Sequence, residues 1–176
     1  MSKILLIGGN GYIGSKLQEI LDVDVMDTNW FSEADSHWLG DYKDLTPKHY
    51  KPYDTIILLA GHSSVKMSEG NLNSCFNNNV RNFIDLIEKL DKQKLIYASS
   101  SSVYGSVGGK TVNEKYYGFE PYNQYDISKH TADLYAQKSD VEYYGLRFGT
   151  VNGYSPVLRT DVMINAMVNS ALQNGE

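Results

Sequence analysis

The chain has 176 residues, 41% hydrophobic and 21% charged, with a formal net charge of −5, enough for one domain with a full core. The acidic balance without a Lys/Arg stripe excludes nucleic acid as an expected partner, and no apolar run approaches the roughly 20 residues of a membrane span. Cys75 alone allows no internal disulfide and suits a reducing, cytoplasmic compartment, Met1-Ser2-Lys3 carries no signal-peptide pattern, and His37, His49, His62 and His130 have no metal-ligand spacing.

In chain order, Ile4-Leu5-Leu6-Ile7 reads as a buried strand within residues 3–7. Gly8-Gly9-Asn10-Gly11-Tyr12-Ile13-Gly14 follows, and a helix is expected over 12–21. Strand, glycine loop and helix in that order let the backbone approach a pyrophosphate and offer it free N–H groups. The next strand, 23–27, ends on Asp27, placed for adenosine ribose hydroxyls; the alternative is a solvated turn carboxylate. Thr28, Asn29 and Trp30 follow it, with no Arg to receive a 2′-phosphate, so the pattern points to NAD rather than NADP. Further strands are expected at 37–40, 54–60, 94–99 and 142–147, and helices at 45–50, 71–90, 123–138 and 160–173. The continuous apolar run Ile56-Ile57-Leu58-Leu59-Ala60 suits a parallel sheet covered on both faces. The expected fold is therefore α/β, a Rossmann-like doubly wound parallel sheet with helices on both faces and right-handed crossovers. Residues 105–121 read as a loop bordering the substrate. In the last helix Val162, Met163, Ala166, Met167, Ala171 and Leu172 fall on one side, with Gly175 as C-cap.

Tyr125 and Lys129 stand four apart, so a helix puts both on one face. A neighbouring ammonium favours phenolate and is expected to bring the tyrosine down towards neutrality. Tyr125 is then a candidate general base and acid for an alcohol proton; the alternative is an ordinary surface helix. His62 follows Ala60-Gly61 and reads either as a surface-loop histidine or as a substrate contact.

Together these residues resemble the extended short-chain dehydrogenase/reductase family, in its NAD-dependent sugar epimerase/dehydratase group. Gly8, Gly11 and Gly14 match its dinucleotide loop; Gly40-Asp41-Tyr42-Lys43-Asp44 is similar to its G-D-x-x-D turn; Asp54 to Gly61 is similar to its fourth strand. Asn78-Asn79-Val80, Tyr97 to Gly105, the Tyr125/Lys129 pair and Leu146 to Gly153 follow in family order. The resemblance implies a catalytic set of Ser100, Tyr125 and Lys129. It implies a cofactor surface of Gly8, Asn10, Gly11, Tyr12, Ile13, Gly14, Asp27, Asp41, Tyr42, Leu59, Ala60, Gly61, Asn79, Tyr125, Lys129 and Phe148, with Asp41 reaching the adenine amine and Asn79 either structural or cofactor-side. Residues 1–153 would be the NAD-binding domain and 154–176 the start of a truncated substrate-binding region. Departures from the pattern are the 13-position step from Gly14 to Asp27, which shortens the first helix, and Gly149-Thr150 where many members carry a residue followed by Asn.

The implied chemistry is reversible hydride transfer between a sugar carbon and the nicotinamide, with a nucleotide sugar as partner. Ser101-Ser102 stand where dehydratases of the family carry Asp-Glu, so epimerisation through a keto intermediate is expected first and a reductase or dehydrogenase second. A non-catalytic NAD-binding module is the alternative from another class. In the family, helices like 71–90 and 123–138 pair into a homodimer. A core stripe is expected from Leu72, Phe76, Val80, Phe83, Ile84 and Ile87 with Ile127, Thr131, Leu134 and Tyr135. A partner-facing stripe is expected from Cys75, Leu86, Leu90, Ala132 and Ala136; the alternative is that these widen the core-facing stripe.

Overall fold

The structure, a computed structural model, describes residues 2–30, 36–116, 118 and 120–175; Tyr117 and Phe119, within the expected 105–121 loop, lie outside the described residues. Its elements are β1 (Ile4–Ile7), α1 (Tyr12–Leu17), β2 (Asp24–Asp27), β3 (Trp38–Leu39), α2 (Pro47–Tyr50), β4 (Thr55–Leu58), α3 (Val65–Gly70), α4 (Leu72–Phe76), α5 (Asn82–Lys89), β5 (Lys94–Ser100), α6 (Gln124–Ala136), β6 (Tyr143–Phe148) and α7 (Met163–Asn174). Tyr42–Asp44 and Ser101–Tyr104 form 3-10 turns, and Asn77–Arg81 forms a π turn.

All strand pairs are parallel, in the order β3-β2-β1-β4-β5-β6. The chain thus starts mid-sheet, winds outward to β3 and returns to build β4 to β6, the doubly wound α/β arrangement expected. Alternation along the strands decides the two faces. Leu5, Ile56 and Leu95 lie in register and are fully buried. With Ile7, Leu58 and Tyr97 they pack against Phe83, Leu86 and Ile87 of α5 and Ala132 and Ala136 of α6. Each such aliphatic side chain contributes about 1.5–3 kcal/mol by leaving water. Leu6, Val25 and Ile57 face the other way and are also buried. Beyond β5 that second face opens, and Tyr144 and Leu146 of β6 are exposed.

Three helices differ from expectation. α1 ends at Leu17, and the chain then winds through Glu19 N–H to Lys16 O and Ile20 N–H to Leu17 O instead of running on to 21. The helix expected at 71–90 is broken by the π turn, whose extra residue rotates α4 relative to α5. In α7 the apolar side is not buried: Met163, Met167 and Leu172 are exposed, and Asn165 is the buried residue of that helix. Gly175, at φ +76°, caps it as expected.

Burial on α4, α5 and α6 overturns the expected partner-facing stripe, and the π turn accounts for the part of this on α4. Cys75, Leu86, Ala132 and Ala136 are buried inside this chain, and Leu90 packs partly against its core. Leu72, Phe76, Ile127 and Leu134, assigned to the core stripe, are exposed. Small residues at Ala132 and Ala136 let α6 approach the sheet closely, so they belong to the inner face.

Candidate functional site

The site gathers at the carboxyl ends of β1, β4 and β5. Gly8 has φ +83°, and a Cβ there would lie 2.8 Å from Ala60 Cα and 2.9 Å from Leu59 C; only glycine lets the first turn cross the end of β4 this closely. At Gly14 a Cβ would meet Gly9 Cα at 2.6 Å, so glycine lets α1 close on its own loop. Gly11 is open, with Gly8 O at 3.5 Å the nearest atom to a built Cβ. The loop backbone is therefore approachable there, and Gly11 is an N-cap without a side-chain cap bond for the turn begun by Tyr12 and Ile13.

Asn10 is buried and ties this loop to the end of β2. Its backbone N–H donates to Asp27 Oδ2 at 2.9 Å, and its Nδ2 donates to Asn29 Oδ1 and Ser36 Oγ, each at 2.8 Å. Asp27 Oδ1 accepts from Asn29 N–H at 2.8 Å. A carboxylate has about four lone-pair sites, so Asp27 retains acceptor capacity beside the glycine loop. Asp41 caps the Tyr42–Asp44 turn by accepting from Lys43 N–H at 3.1 Å, and its other oxygen is 3.2 Å from Lys43 Nζ. A polar cleft of about 670 Å3 runs from Asp41 to Asn77, Asn78 and Asn82.

Tyr42, expected on the cofactor surface, is placed otherwise, and the surface-loop reading of His62 does not hold. Tyr42 is a core residue whose hydroxyl donates to Asn78 O at 2.9 Å, and burial pushes its phenol up. Its ring therefore does not face the cleft, because the aromatic body is worth more in the core than at the turn. His62 is neither on the surface nor free in a loop. It is buried, Asn79 Oδ1 accepts from its backbone N–H at 2.8 Å, and Asn79 Nδ2 donates to its carbonyl at 3.1 Å. Burial, then the Lys129 charge, lowers its imidazole. Asn79 also donates to Ser128 Oγ at 3.1 Å, so its buried amide is engaged at both ends in clamping the loop after β4 to α6. Gly61 leaves room for that clamp, since a Cβ would stand 2.6 Å from Asn79 Oδ1.

Ser100, Tyr125 and Lys129 are brought together. Ser100 is the last residue of β5, in register with Phe148 at the end of β6. Its hydroxyl accepts from Ser102 N–H at 3.2 Å and meets Ser102 Oγ at 2.9 Å. α6 starts at Gln124 because Asn123 caps it, accepting from Asp126 N–H at 3.0 Å. That puts Tyr125 in its first turn and Lys129 one turn on. The expected fall of the phenol does not occur. Burial raises Tyr125, the Ser100 hydrogen bond opposes this, Asp126 adds to it, and Arg159 opposes it. Lys129 is not the balancing charge, because its Nζ donates to Ala98 O at 3.0 Å and lies 5.8 Å from the Tyr125 ring centroid. Burial itself brings the Lys129 ammonium down to about 8, against the opposing pull of Asp133 and then Cys75.

Sequence reasoning missed Arg159 and Asn165. Arg159 pairs bidentately with Asp161, at 2.9 and 2.6 Å, and donates to Ser63 Oγ at 3.1 Å. Asn165 accepts from Gly153 N–H at 2.9 Å and donates to Tyr12 Oη at 3.0 Å and Arg159 O at 2.8 Å. Ser155 adds a 2.6 Å bond to Tyr12 O.

Residues 4–176 match the model of the NAD dependent epimerase/dehydratase family. An N-acetyl-alpha-D-glucosaminyl-diphospho-ditrans,octacis-undecaprenol 4-epimerase of Escherichia coli O157:H7 is 28% identical over 140 residues, covering 74% of this chain and 41% of its own length. A putative UDP-glucose 4-epimerase of Methanocaldococcus jannaschii is 28% identical over 176 aligned residues, covering 85% of this chain and 56% of its own. The structure of the UDP-N-acetylglucosamine 4-epimerase from Methanobrevibacter ruminantium M1, in complex with UDP-N-acetylmuramic acid, superposes with a TM-score of 0.84 at 25% identity, over 99% of this chain and 64% of that one. The chain spans about half the length of the curated relatives it matches.

Proposed function

This chain belongs to the NAD dependent epimerase/dehydratase family, and from that membership we propose that it binds NAD and serves oxidation and reduction at a sugar carbon of a nucleotide sugar, in the first place epimerisation through a keto intermediate. The observation that carries the reading is the convergence of Ser100, Tyr125 and Lys129, with Lys129 and Ala60 lining one small cavity. The cradle fits a dinucleotide: Gly11 is open at the loop, and Asp27 keeps acceptor capacity beside it. Gly8, Gly11 and Gly14 would hold the pyrophosphate, Asp27 the ribose hydroxyls, and Asp41 the adenine. The carboxylate at Asp27 favours NAD over a 2′-phosphorylated cofactor.

NAD, when bound, supplies the acceptor and donor of hydride. Tyr125 takes the proton of the sugar hydroxyl and later returns it. Ser100 hydrogen-bonds the same oxygen and, by favouring phenolate, prepares Tyr125 for the transfer. Lys129 would supply a donor for the nicotinamide ribose; its ammonium is held by Ala98 O, so Ser100 and then Arg159 are the groups that favour the phenolate. Ser101 and Ser102 follow Ser100, and Ser102 is bonded to it, so these two positions offer no carboxylate for the elimination a dehydratase needs. The exposed face of Leu72, Phe76, Ile127 and Leu134 would pair across a two-fold axis into a homodimer, and the cytoplasm is the compartment the composition suits.

The test is a titration of the chain with NAD and NADP, followed by proton NMR of UDP-sugars incubated with the chain and NAD. Tighter NAD than NADP binding and appearance of the 4-epimer are expected. Tighter NADP binding would refute the cofactor assignment, and NAD binding without any epimer across the sugar panel would refute the activity.

A further inference from the structure

Asp133 is one turn beyond Lys129 on α6, and only 4% of it is exposed. Its two carboxylate oxygens are taken by two different strands. Tyr97 of β5 donates its hydroxyl to Oδ1 at 2.8 Å, and Arg147 of β6 donates Nε to Oδ2 at 2.9 Å. The Tyr97 bond exists only because β6 carries glycine opposite: Gly145 pairs with Tyr97, and a Cβ there would lie 2.5 Å from the Tyr97 hydroxyl. Arg147 is in turn held over the Tyr104 ring, 4.9 Å from its centroid, and donates Nη1 to Glu114 O at 3.3 Å.

This network surrounds the acceptor of Lys129. Ala98, whose carbonyl takes the ammonium, directly follows Tyr97 and precedes Ser99, the residue in register with Arg147. The same carboxylate stands four residues from Lys129 on one helix face. A buried ion pair is weak evidence for stability, since well-packed apolar residues of similar volume often do as well. A carboxylate satisfied from two strands, beside the one lysine of the site, therefore calls for another explanation.

We propose that Asp133 is a positioning residue, tying α6 to β5 and β6 so that Lys129 meets Ala98 O, and holding Lys129 as the ammonium that would serve the nicotinamide ribose. The role assigned to Lys129 rests on the reading of the site given above. The groups facing the pair come from every neighbouring element: His62 after β4, Cys75 on α4, Tyr97 on β5, Arg147 on β6, and Tyr125 and His130 on α6 itself. Burial lowers Lys129 and Asp133 is the first group to oppose it. Arg147 competes for the same carboxylate, so removing either partner should move Lys129 in opposite directions.

The experiment is an NMR titration of the full chain labelled with 13C- and 15N-lysine, with Lys129 assigned by its absence in Lys129→Met. Asp133→Asn should lower the proton affinity of Lys129 by at least roughly tenfold, and Arg147→Gln should raise it. A Lys129 midpoint unmoved in folded Asp133→Asn overturns the proposal. Should circular dichroism show Asp133→Asn unfolded, Arg147→Gln decides alone, and a midpoint that stays or falls overturns it; unfolding of both variants assigns the network to fold alone and overturns it too. Turnover is not the readout. An inactive protein whose Lys129 shifts as expected would sink the proposed function and leave Asp133 in place, whereas an active one with an unmoved Lys129 would do the reverse.

Discussion

The Lys129 ammonium donates to the Ala98 carbonyl at 3.0 Å while standing 5.8 Å from the centre of the Tyr125 ring. Without cofactor the phenol is therefore kept up by burial, and Ser100 is the first group to favour its ionised form. Ser100→Ala should push the Tyr125 titration further up, followed as the tyrosinate absorbance lost on adding Tyr125→Phe. In the proposed reaction Tyr125→Phe should cut kcat at least about a hundredfold and leave the NAD dissociation constant nearly unchanged, since the phenol acts on the reacting proton. Undiminished turnover in Tyr125→Phe would end the case for Tyr125 as the proton carrier.

Lys129 itself should be a stability liability at neutral pH. Its folded-state value of about 8 lies below the ordinary 10.5, so the unfolded chain binds this proton more tightly. Below about 8 the lysine is charged in both states and the cost of burying that charge is complete; stability then rises with pH up to the unfolded value. Lys129→Met should thus raise the stability of the cofactor-free chain at pH 7, by about 1–3 kcal/mol, while abolishing turnover. The gain should shrink above pH 8, as wild type sheds its charge in the folded state. Denaturant melts across pH 6 to 10.5 measure this, and a gain that grows with pH would contradict the assigned direction.

The sheet was legible because β1 and β4 are continuous apolar runs bounded by glycine and polar residues, and the glycine loop because only Gly8 and Gly14 permit its close contacts. Helix identity was harder. Asn77-Asn78-Asn79 gives no periodic sign that a π turn will rotate α4 against α5, and with that rotation Cys75 turns inward and Phe76 outward. Tyr42 lies in a turn motif, yet tertiary burial sets its place. Arg159 and Asn165 depend on contacts that close across the chain, such as Asn165 to Tyr12 over 153 positions, which no local pattern encodes.

Asp27 does two jobs at once, and a single substitution separates them. Its carboxylate accepts from Asn10 and Asn29 backbone N–H groups and would accept from the cofactor ribose. Asp27→Ala should weaken NAD by roughly 1.5–3 kcal/mol, the worth of hydrogen bonds to a charged group, and lower the melting temperature of the free chain. Asp27→Asn keeps one acceptor oxygen and should fall between the two in both measurements. Calorimetric titration beside thermal melts distinguishes the roles: equal NAD affinity in Asp27→Ala and wild type would leave Asp27 as a loop brace only.

The helical faces make opposite forecasts for two substitutions on α6. Ala132 is 3% exposed and packs in the core with Phe83 and Tyr97, so Ala132→Asp buries an unpaired carboxylate. It should cost several kcal/mol and unfold the chain rather than split an assembly. Ile127 is 41% exposed, on the same helix. Ile127→Asp should leave the monomer's stability within about 0.5 kcal/mol, as surface changes do. If the face of Leu72, Phe76, Ile127 and Leu134 joins two copies, the same substitution should move the sedimentation profile from dimer to monomer at micromolar concentration. A wild-type chain that sediments only as a monomer would remove the dimer, and a dimer untouched by Ile127→Asp would place its interface elsewhere.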